Sequence, residues 1–250
     1  MDLRERAASA ATRHPWELVR ADFFERLLAD HDLLDAPRWL DVGAGDAWFA
    51  TELVERLPAG ASVTCWDINY TTEDLTALGR DDGRVVLAAE RPTAQFDRIT
   101  LLDVIEHVED DAGFLGGIVS ELLAPGGSVL LSVPAYQPLF SRHDTALGHY
   151  RRYSPAQLRA VAIGAGLEVE TEGGLFTSLL GARAVAKAAE RARPHPGEWT
   201  GVGAWSGGPV VTRATITALA LDASTSRLLA RRHLRVPGLS CWALCRRRGG

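Results

Sequence analysis

The regular alternation of short apolar strands with helices is the feature that most constrains the fold of this chain. Strands are predicted at 38–42, 62–67, 85–87, 98–103 and 128–133, and helices at 47–56, 72–78 and 112–123. Such alternation predicts parallel strands joined by helical crossovers, with helices on both faces of one sheet. In sheets of this kind, ligands bind at the carboxyl ends of the strands. With 250 residues, the chain is long enough for one large α/β domain and short for two.

Elements outside this alternation complete the predicted domain. They are a helix over 16–29, a loop over 134–153, a helix with Ser154 as N-cap and Pro155 at its first position, a strand over 167–172, helices over 175–192 and 212–232, and a seventh strand over 239–245. We divide the single domain into a helical cap (1–36), a cofactor-binding core (37–172), a helical insertion rich in glycine and proline (173–238), and a last strand with a basic tail (239–250). Trp199 and Trp205 of the insertion are predicted to form a lid over the acceptor pocket, and the alternative is that they anchor the loop in which they lie.

Composition excludes several classes of function. The formal net charge of −5 gives no general basic surface, so nucleic acid is not expected as a partner. No apolar stretch is long enough to span a membrane, and residues 1–14 lack the apolar core of a secretion signal. The three cysteines are too scattered for a disulfide framework, and Cys241 and Cys245 share one face of the last strand, which predicts buried thiols. We expect a soluble, cytoplasmic monomer or homodimer.

The stretch LDVGAGDAWFA, between the first strand and the first helix of the alternation, predicts a nucleotide-binding turn. A dinucleotide-binding turn needs a small residue three positions after Gly45, where this chain has Trp48. In another register, Asp41, Gly43, Gly45 and Ala47 supply an acid followed by small residues at every second position. Glycines let the backbone approach a ligand, and the N-terminus of the following helix presents N–H groups to an anion. The second register therefore favours a ligand other than a dinucleotide.

Asp67 supports a nucleoside ligand without choosing between cofactors, because a carboxylate that ends the second strand can accept hydrogen bonds from both ribose hydroxyls. The choice comes from FDRITLLDVIEHVEDDAGFLGGIVSELLAPGGSVLLSVPA, residues 96–135. This segment closely resembles the fourth through fifth strands of class I S-adenosylmethionine-dependent methyltransferases that act on small molecules, of the kind related to the ubiquinone group. RHPWELVRADFFERLL and GHYRRYSPAQLRAVAIGAGLEVE also resemble segments of this family.

The resemblance implies a Rossmann-like sheet of seven mostly parallel strands with an antiparallel last strand, and S-adenosylmethionine as the cofactor. It implies that Asp41 faces the methionyl ammonium, that Asp67 binds the ribose, and that the turn of Asp103, Glu106 and His107 lies at the sulfonium. Relatives often have an acid after the third strand that contacts the adenine, and Glu90 is the candidate for that role here. The complete set of predicted cofactor residues is Asp41, Gly43, Ala44, Gly45, Asp67, Ile68, Glu90, Asp103, Val104 and His107.

Methyl transfer from a sulfonium is an in-line displacement, in which orientation supplies much of the acceleration. A general base is needed where the acceptor is protonated, and histidine suits that task. The predicted catalytic residues are His107, His143 and His149, although His107 fits a helix-entry role equally well. The predicted acceptor-binding residues lie in the aromatic and basic loop after the fifth strand and are Tyr136, Phe140, Tyr150, Arg151 and Arg152.

Two expectations concern what else this loop does. One of its two adjacent arginines is expected to pair with a core carboxylate and hold the loop. The spacing of the loop histidines and Asp144 matches no metal motif, so no metal is predicted.

These features predict methyl transfer from S-adenosylmethionine to an oxygen or nitrogen nucleophile of a small molecule. Three alternatives stay open at this point. They are a nicotinamide-dependent oxidoreductase, a methyltransferase-like domain with a binding role, and a non-methylating reaction that uses the same cofactor.

Overall fold

The computed structural model describes residues 13–78, 82–192 and 205–249. The helices in these ranges are α1 (Pro15–Asp30), α2 (Trp48–Val54), α3 (Thr72–Ala77), α4 (Asp111–Gly117), α5 (Arg142–Leu147), α6 (Pro155–Gly164), α7 (Thr177–Ala192) and α8 (Pro209–Ala230). The strands are β1 (Arg38–Val42), β2 (Ser62–Trp66), β3 (Val85–Ala88), β4 (Phe96–Leu102), β5 (Leu123–Pro134), β6 (Leu167–Leu175) and β7 (Ser240–Arg247).

The seven strands form one sheet in the order β3-β2-β1-β4-β5-β7-β6. Neighbours from β3 through β5 pair in parallel, whereas β7 runs antiparallel to both β5 and β6. The chain reverses its direction of progress across the sheet between β1 and β4, and such a switch point opens a crevice at the carboxyl ends of the strands. The predicted fold class, including the antiparallel last strand, is confirmed.

Alternate side chains of the strands bury against helices on both faces of the sheet. On one face, Phe23 of α1 and Leu53 of α2 pack in the same apolar cluster as Trp242 of β7 and residues of α8. On the other face, Leu115 of α4 and Leu158 of α6 pack in a cluster with β1, β4 and β5. The insertion helix α8 is joined to α1 by ion pairs of Asp30 with Arg227 and Arg231. One helix of the insertion is thus part of the core.

Residues 134–153 differ from the predicted loop. They contain a short 3₁₀ turn and helix α5. The helix forms because Asp144, three residues into it, accepts hydrogen bonds from the backbone N–H and the hydroxyl of Ser141, at 2.8 and 3.0 Å. The sequence carries this capping pair, but the surrounding aromatic and charged residues have no helical period.

The predicted lid falls partly outside the described residues, because Trp199 lies there. The Trp205 indole donates a hydrogen bond to Thr212 Oγ1 and its ring packs 4.8 Å from the ring of His14, at the start of α1. A lid role for these tryptophans stays a prediction.

The cysteines and the apolar segments agree with the sequence analysis. Cys241 and Cys245 are buried free thiols, as predicted, and burial raises the pKa of each to about 12. Among the described helices, none combines the length and apolar character that crossing a membrane requires.

Candidate active site

A cavity of about 670 Å³ lies at the carboxyl ends of the central strands. Its volume is in the range of small-molecule sites. One part of its wall, here called the cradle end, is formed by Val42, Gly43, Asp67, Ile68, Asp103 and Val104. Another part, here called the histidine end, is formed by Glu106, His107, His143, His149, Arg152 and Arg183. Apolar side chains that include Trp16, Phe114, Leu147, Phe176, Leu179 and Leu239 complete the lining.

The turn between β1 and α2 brings backbone to the cradle end. Gly43, Gly45 and Ala47 have φ angles of +64°, +56° and +56°. A Cβ atom on Gly43 would lie 2.8 Å from Cγ2 of Val104, too close for either group to stay in place. Glycine at position 43 therefore lets the turn and Val104 line one cavity. The backbone of Ala47 has the same left-handed conformation as the two glycines, although alanine carries a methyl group.

Asp67 holds this turn while it lines the cavity. One carboxylate oxygen accepts a hydrogen bond from the Gly45 N–H at 3.0 Å, and the other accepts one from the Asn69 N–H at 2.9 Å. The loop after β2 thereby fixes the turn after β1. Ile68 also lines the cavity and is 78% exposed.

Other predicted cofactor residues lie behind or outside the wall. Asp41, Ala44 and Gly45 are not among the residues that line the cavity. Burial raises the pKa of Asp41 to about 6, although a 2.5 Å hydrogen bond from Thr100 Oγ1 opposes the shift. Glu90 is exposed and lies outside the lining, so the structure does not bring it to the cavity.

Helix α1 contributes two cavity residues that the sequence analysis did not assign. Trp16 and Arg20, four residues apart on one helical face, both line the cavity. The Arg20 guanidinium forms an ion pair with Asp103 and lies 4.9 Å from the centroid of a Trp16 ring. Asp103 has φ of +61°, a strained conformation of the kind that collects at functional sites. The spacing of Trp16 and Arg20 was the sequence signal available for this contact.

All three predicted histidines line the cavity. His107 follows β4, whereas His143 belongs to α5 and His149 comes just after α5. The rings of His107 and His149 pack edge to face with centroids 4.5 Å apart. Burial lowers the pKa of His143, although the nearby Asp144 opposes the shift. The fold thus gathers histidines that are separated by about 40 residues in sequence.

Asp144 lies at the centre of the polar contacts of the histidine end. Its carboxylate is fully buried and lies 3.0 Å from Nδ1 of His149. It also accepts a hydrogen bond from Nε of Arg152 at 2.7 Å, and Arg183 of α7 lies 3.6 Å away. Burial raises the pKa of Asp144, but the hydrogen bonds from His149 and Arg152 outweigh burial and hold it well below its usual range. Asp144 is therefore a carboxylate at neutral pH.

Glu106 is a buried acid to which the sequence analysis gave no separate role. It is fully buried, and within the described structure neither carboxyl oxygen has a hydrogen-bond partner. Burial, together with the charge of Asp103, raises its pKa well above the usual value. Ligand-type atoms of Glu106, His107 and His149 lie within 4.8 Å of one another. No metal is predicted from the sequence, in which Glu106 and His107 are separated from His149 by about 40 residues.

Most of the predicted acceptor residues are not among those that line the cavity. Of the five, Arg152 lines it, whereas Tyr136, Phe140, Tyr150 and Arg151 do not. Arg151 lies 3.0 Å from the carboxylate of Asp111 and donates to a backbone carbonyl. Both adjacent arginines therefore pair with carboxylates, where one such pair was expected. Tertiary contacts that the sequence does not display decide which residues of this loop face the cavity.

The strand order, the glycine turn after β1 and the acid at the end of β2 define a class I S-adenosylmethionine-dependent methyltransferase. The chain belongs to the methyltransferase domain family, whose model matches residues 11–172. S-adenosylmethionine is accordingly its cofactor, and the nicotinamide alternative is excluded.

Several curated proteins are similar in sequence to part of this chain. A ubiquinone biosynthesis O-methyltransferase from Leptothrix cholodnii is 34% identical over 110 residues, which are 40% of this chain and 45% of that protein. The enzyme of the same name from Xanthomonas euvesicatoria pv. vesicatoria is 31% identical over 166 residues, which are 57% of this chain and 67% of that protein. The chain spans about half the length of the first of these relatives.

Solved structures share the fold over nearly the whole chain. An S-adenosylmethionine-dependent methyltransferase from Mesorhizobium loti has a TM-score of 0.53 and 17% identity, and covers 96% of this chain and all of that one (100%). The [4+2]-cyclase SpnF has a TM-score of 0.57 and 14% identity, with 97% of this chain and 85% of that chain covered. At these identities the likeness concerns the fold.

Proposed function

We propose that this chain transfers the methyl group of S-adenosylmethionine to a hydroxyl oxygen of a small molecule. The observation that carries the proposal is the single cavity that contains both the cradle end and the histidine end. A cofactor in the cradle and an acceptor beside the histidines would share one enclosed space. That arrangement favours a direct displacement, because orientation alone accounts for about 7–11 kcal/mol of barrier reduction at best.

The residues of the cradle end fit the cofactor. Gly43 brings backbone to the cavity where a Cβ would strike Val104, and the Asp67 carboxylate would accept hydrogen bonds from the ribose hydroxyls. The exposed Ile68 offers an apolar surface that an adenine base would cover. Arg20 supplies a guanidinium that would face the methionyl carboxylate. When bound, S-adenosylmethionine supplies an activated methyl group on a sulfonium.

The rest of the cavity fits a small acceptor with an apolar body. Leu147, Phe176, Leu179 and Leu239 contribute apolar surface, whereas the histidine end contributes groups that bind or move protons. A hydroxyl acceptor must lose its proton during transfer, and His107, His143 and His149 are the candidates to take it. Relatives named as O-methyltransferases support oxygen over nitrogen as the nucleophile.

We also propose that the protein acts in the cytoplasm, as a monomer or a homodimer, without nucleic acid as a partner. Its three buried free thiols are in keeping with a reducing compartment. We likewise propose the division of the domain into a helical cap, a cofactor-binding core, a helical insertion and a last strand with a basic tail, with boundaries after residues 36, 172 and 238.

Two measurements, made one after the other, test the proposal. Calorimetric titration of the purified chain with S-adenosylhomocysteine is expected to show micromolar affinity, and Asp67→Ala is expected to abolish it. The chain is then incubated with methyl-labelled S-adenosylmethionine and a small-molecule extract of the source cells. A product that carries the label on oxygen, found by tandem mass spectrometry, supports the proposal.

Other results of the extract experiment identify the alternatives. Label on nitrogen overturns the choice of oxygen. A cofactor-dependent change in the extract without label incorporation indicates a non-methylating reaction. Cofactor binding with no change in any extract component indicates a binding role.

A further inference from the structure

We infer that His149 is the general base for the acceptor hydroxyl and that Asp144 is the residue that positions its ring. This inference rests on the proposed transfer to a hydroxyl. It selects one histidine of the three that line the cavity, and it gives a role to a buried carboxylate that does not itself line the cavity.

Asp144 is held from several sides. It is fully buried, and its carboxylate bonds to Ser141 before α5 and to residues that follow α5. Oδ2 accepts hydrogen bonds from the Ser141 backbone and hydroxyl at 2.8 and 3.0 Å, and Oδ1 accepts the bond from Arg152 at 2.7 Å. Held from both sides, the carboxylate has little freedom to turn. A group bonded to it is therefore fixed in direction.

The proton between Asp144 and His149 lies on the histidine. An ionised carboxylate has no proton to donate, so the hydrogen bond at 3.0 Å must be donated by Nδ1–H of His149. In the neutral ring, Nε2 then carries the free lone pair. Because the two ring nitrogens point in different directions, Nε2 faces away from Asp144. His149 lines the cavity, and the proposal directs this lone pair at an acceptor there.

Charged and titratable groups surround His149. They are Asp144 and His143 of α5, Arg152 of the following loop, Arg183 of α7, and Glu106 and His107 after β4. Asp144 touches the ring directly, whereas burial raises the pKa of Glu106, which disfavours a second negative charge beside the ring. Positive charge that develops on His149 during the reaction is therefore stabilised by Asp144 at short range.

In the proposed step the proton and the methyl group move in a way that conserves atoms and charge. The acceptor hydroxyl gives its proton to His149 Nε2, and its oxygen forms the new bond to the methyl carbon as the carbon–sulfur bond breaks. The electron pair of that bond stays on sulfur, and the positive charge passes from sulfur to the imidazolium beside Asp144. The imidazolium later releases its proton to water, which restores the neutral ring.

A measurement that needs no acceptor tests the positioning. The full chain, labelled with ¹⁵N-histidine and saturated with S-adenosylhomocysteine, is examined by long-range proton–nitrogen NMR at pH 8, with His149→Gln to assign the signals. We expect His149 in the Nδ1–H tautomer, and a mixture of tautomers in Asp144→Asn. Asp22→Asn is the matched control, because it makes the same substitution at an exposed carboxylate of α1 that pairs with Arg26 and does not line the cavity. The Nε2–H tautomer in the wild-type chain would overturn the inference.

Kinetics with the labelled acceptor from the extract experiment test the catalytic role. His149→Gln is expected to lower kcat by about 100-fold or more, while affinity for S-adenosylhomocysteine stays within twofold. His31→Gln, at the end of α1 and outside the cavity, is expected to keep full activity. In Asp144→Asn the acid limb of the pH profile of kcat/KM should move to lower pH, because a charge that favours the imidazolium is lost.

The outcomes separate this inference from the proposed function. A purely structural role of Asp144 would lower the melting temperature and leave the acid limb in place, and that result overturns the positioning role. His149→Gln with more than half of the wild-type kcat overturns the base. If no labelled product forms at all, the proposed function fails, and the NMR result still decides whether Asp144 orients His149.

Discussion

Substitutions of Ala47 and Gly45 in the turn after β1 test how that turn binds the cofactor. Ala47 has φ of +56° and is 1% exposed. Relief of the left-handed conformation favours Ala47→Gly by about 1–2 kcal/mol. The greater freedom of glycine in the unfolded chain opposes it by about 0.5–1 kcal/mol, and the loss of a buried methyl group by about 0.8 kcal/mol. We therefore expect the free energy of unfolding to change by less than about 1 kcal/mol.

Cofactor affinity is expected to distinguish the two positions sharply. Ala47 does not line the cavity, so Ala47→Gly should change the Kd of S-adenosylhomocysteine by less than about threefold. Gly45→Val places a β-branched residue at φ of +56°, which costs about 1–3 kcal/mol. If the turn relaxes, the bond from the Gly45 N–H to Asp67 is lost, at about 1.5–3 kcal/mol. The turn bears one cost or the other, so binding should weaken by about 5- to 150-fold.

Calorimetric titration with S-adenosylhomocysteine, beside thermal melts of each variant, measures both effects. Gly126→Val is the matched control, because Gly126 has φ of +73° at the start of β5 with open space around it. It should lower the melting temperature without changing the Kd. A loss of affinity above tenfold in Ala47→Gly, or unchanged affinity in Gly45→Val, would refute the register assigned to this turn.

Two further predictions concern charged cavity residues. Arg20→Met should weaken S-adenosylhomocysteine binding about 10- to 150-fold and leave the binding of 5′-methylthioadenosine unaffected, because methylthioadenosine lacks the carboxylate that Arg20 would face. Arg26→Met, on the exposed side of α1, is the control. Equal losses of affinity for both ligands would contradict the assignment. The folded-state pKa of Glu106 is raised, so the folded chain keeps a proton that the unfolded chain releases above about pH 4.5, and folding loses stability as pH rises from there. The melting temperature of Glu106→Gln should therefore gain on the wild type between pH 5 and pH 8, and a constant difference would show that Glu106 is ionised in the folded chain.

The sequence predicted the cofactor half of the site better than the acceptor half. Gly43, Asp67 and Val104 follow strands whose order along the chain sets their place at the sheet edge, and they line the cavity as expected. Glu90 was assigned by analogy with an acid that relatives often have after the third strand, and it does not line the cavity. Position after a parallel strand is local information, so a pattern in the sequence is enough to predict it.

The acceptor half depends on contacts between distant segments. His143 of α5 and Arg183 of α7 reach the cavity from separate elements, and Glu106 is buried without a hydrogen-bond partner among the described residues. The aromatic residues after β5 looked suited to an acceptor, yet Tyr136 and Tyr150 lie away from the cavity. Side-chain direction in an irregular segment has no period that a sequence displays.

By itself the sequence determined the α/β class, the seven strands and the turn of Asp41 to Ala47, because periodicity and turn chemistry are properties of neighbouring residues. The type of cofactor followed from the resemblance of residues 96–135 to a known family. Only the tertiary structure decided that His149 bonds to Asp144, that α5 interrupts the loop after β5, and that α8 packs with α1. These features require burial, and burial is decided by how separate elements pack against one another.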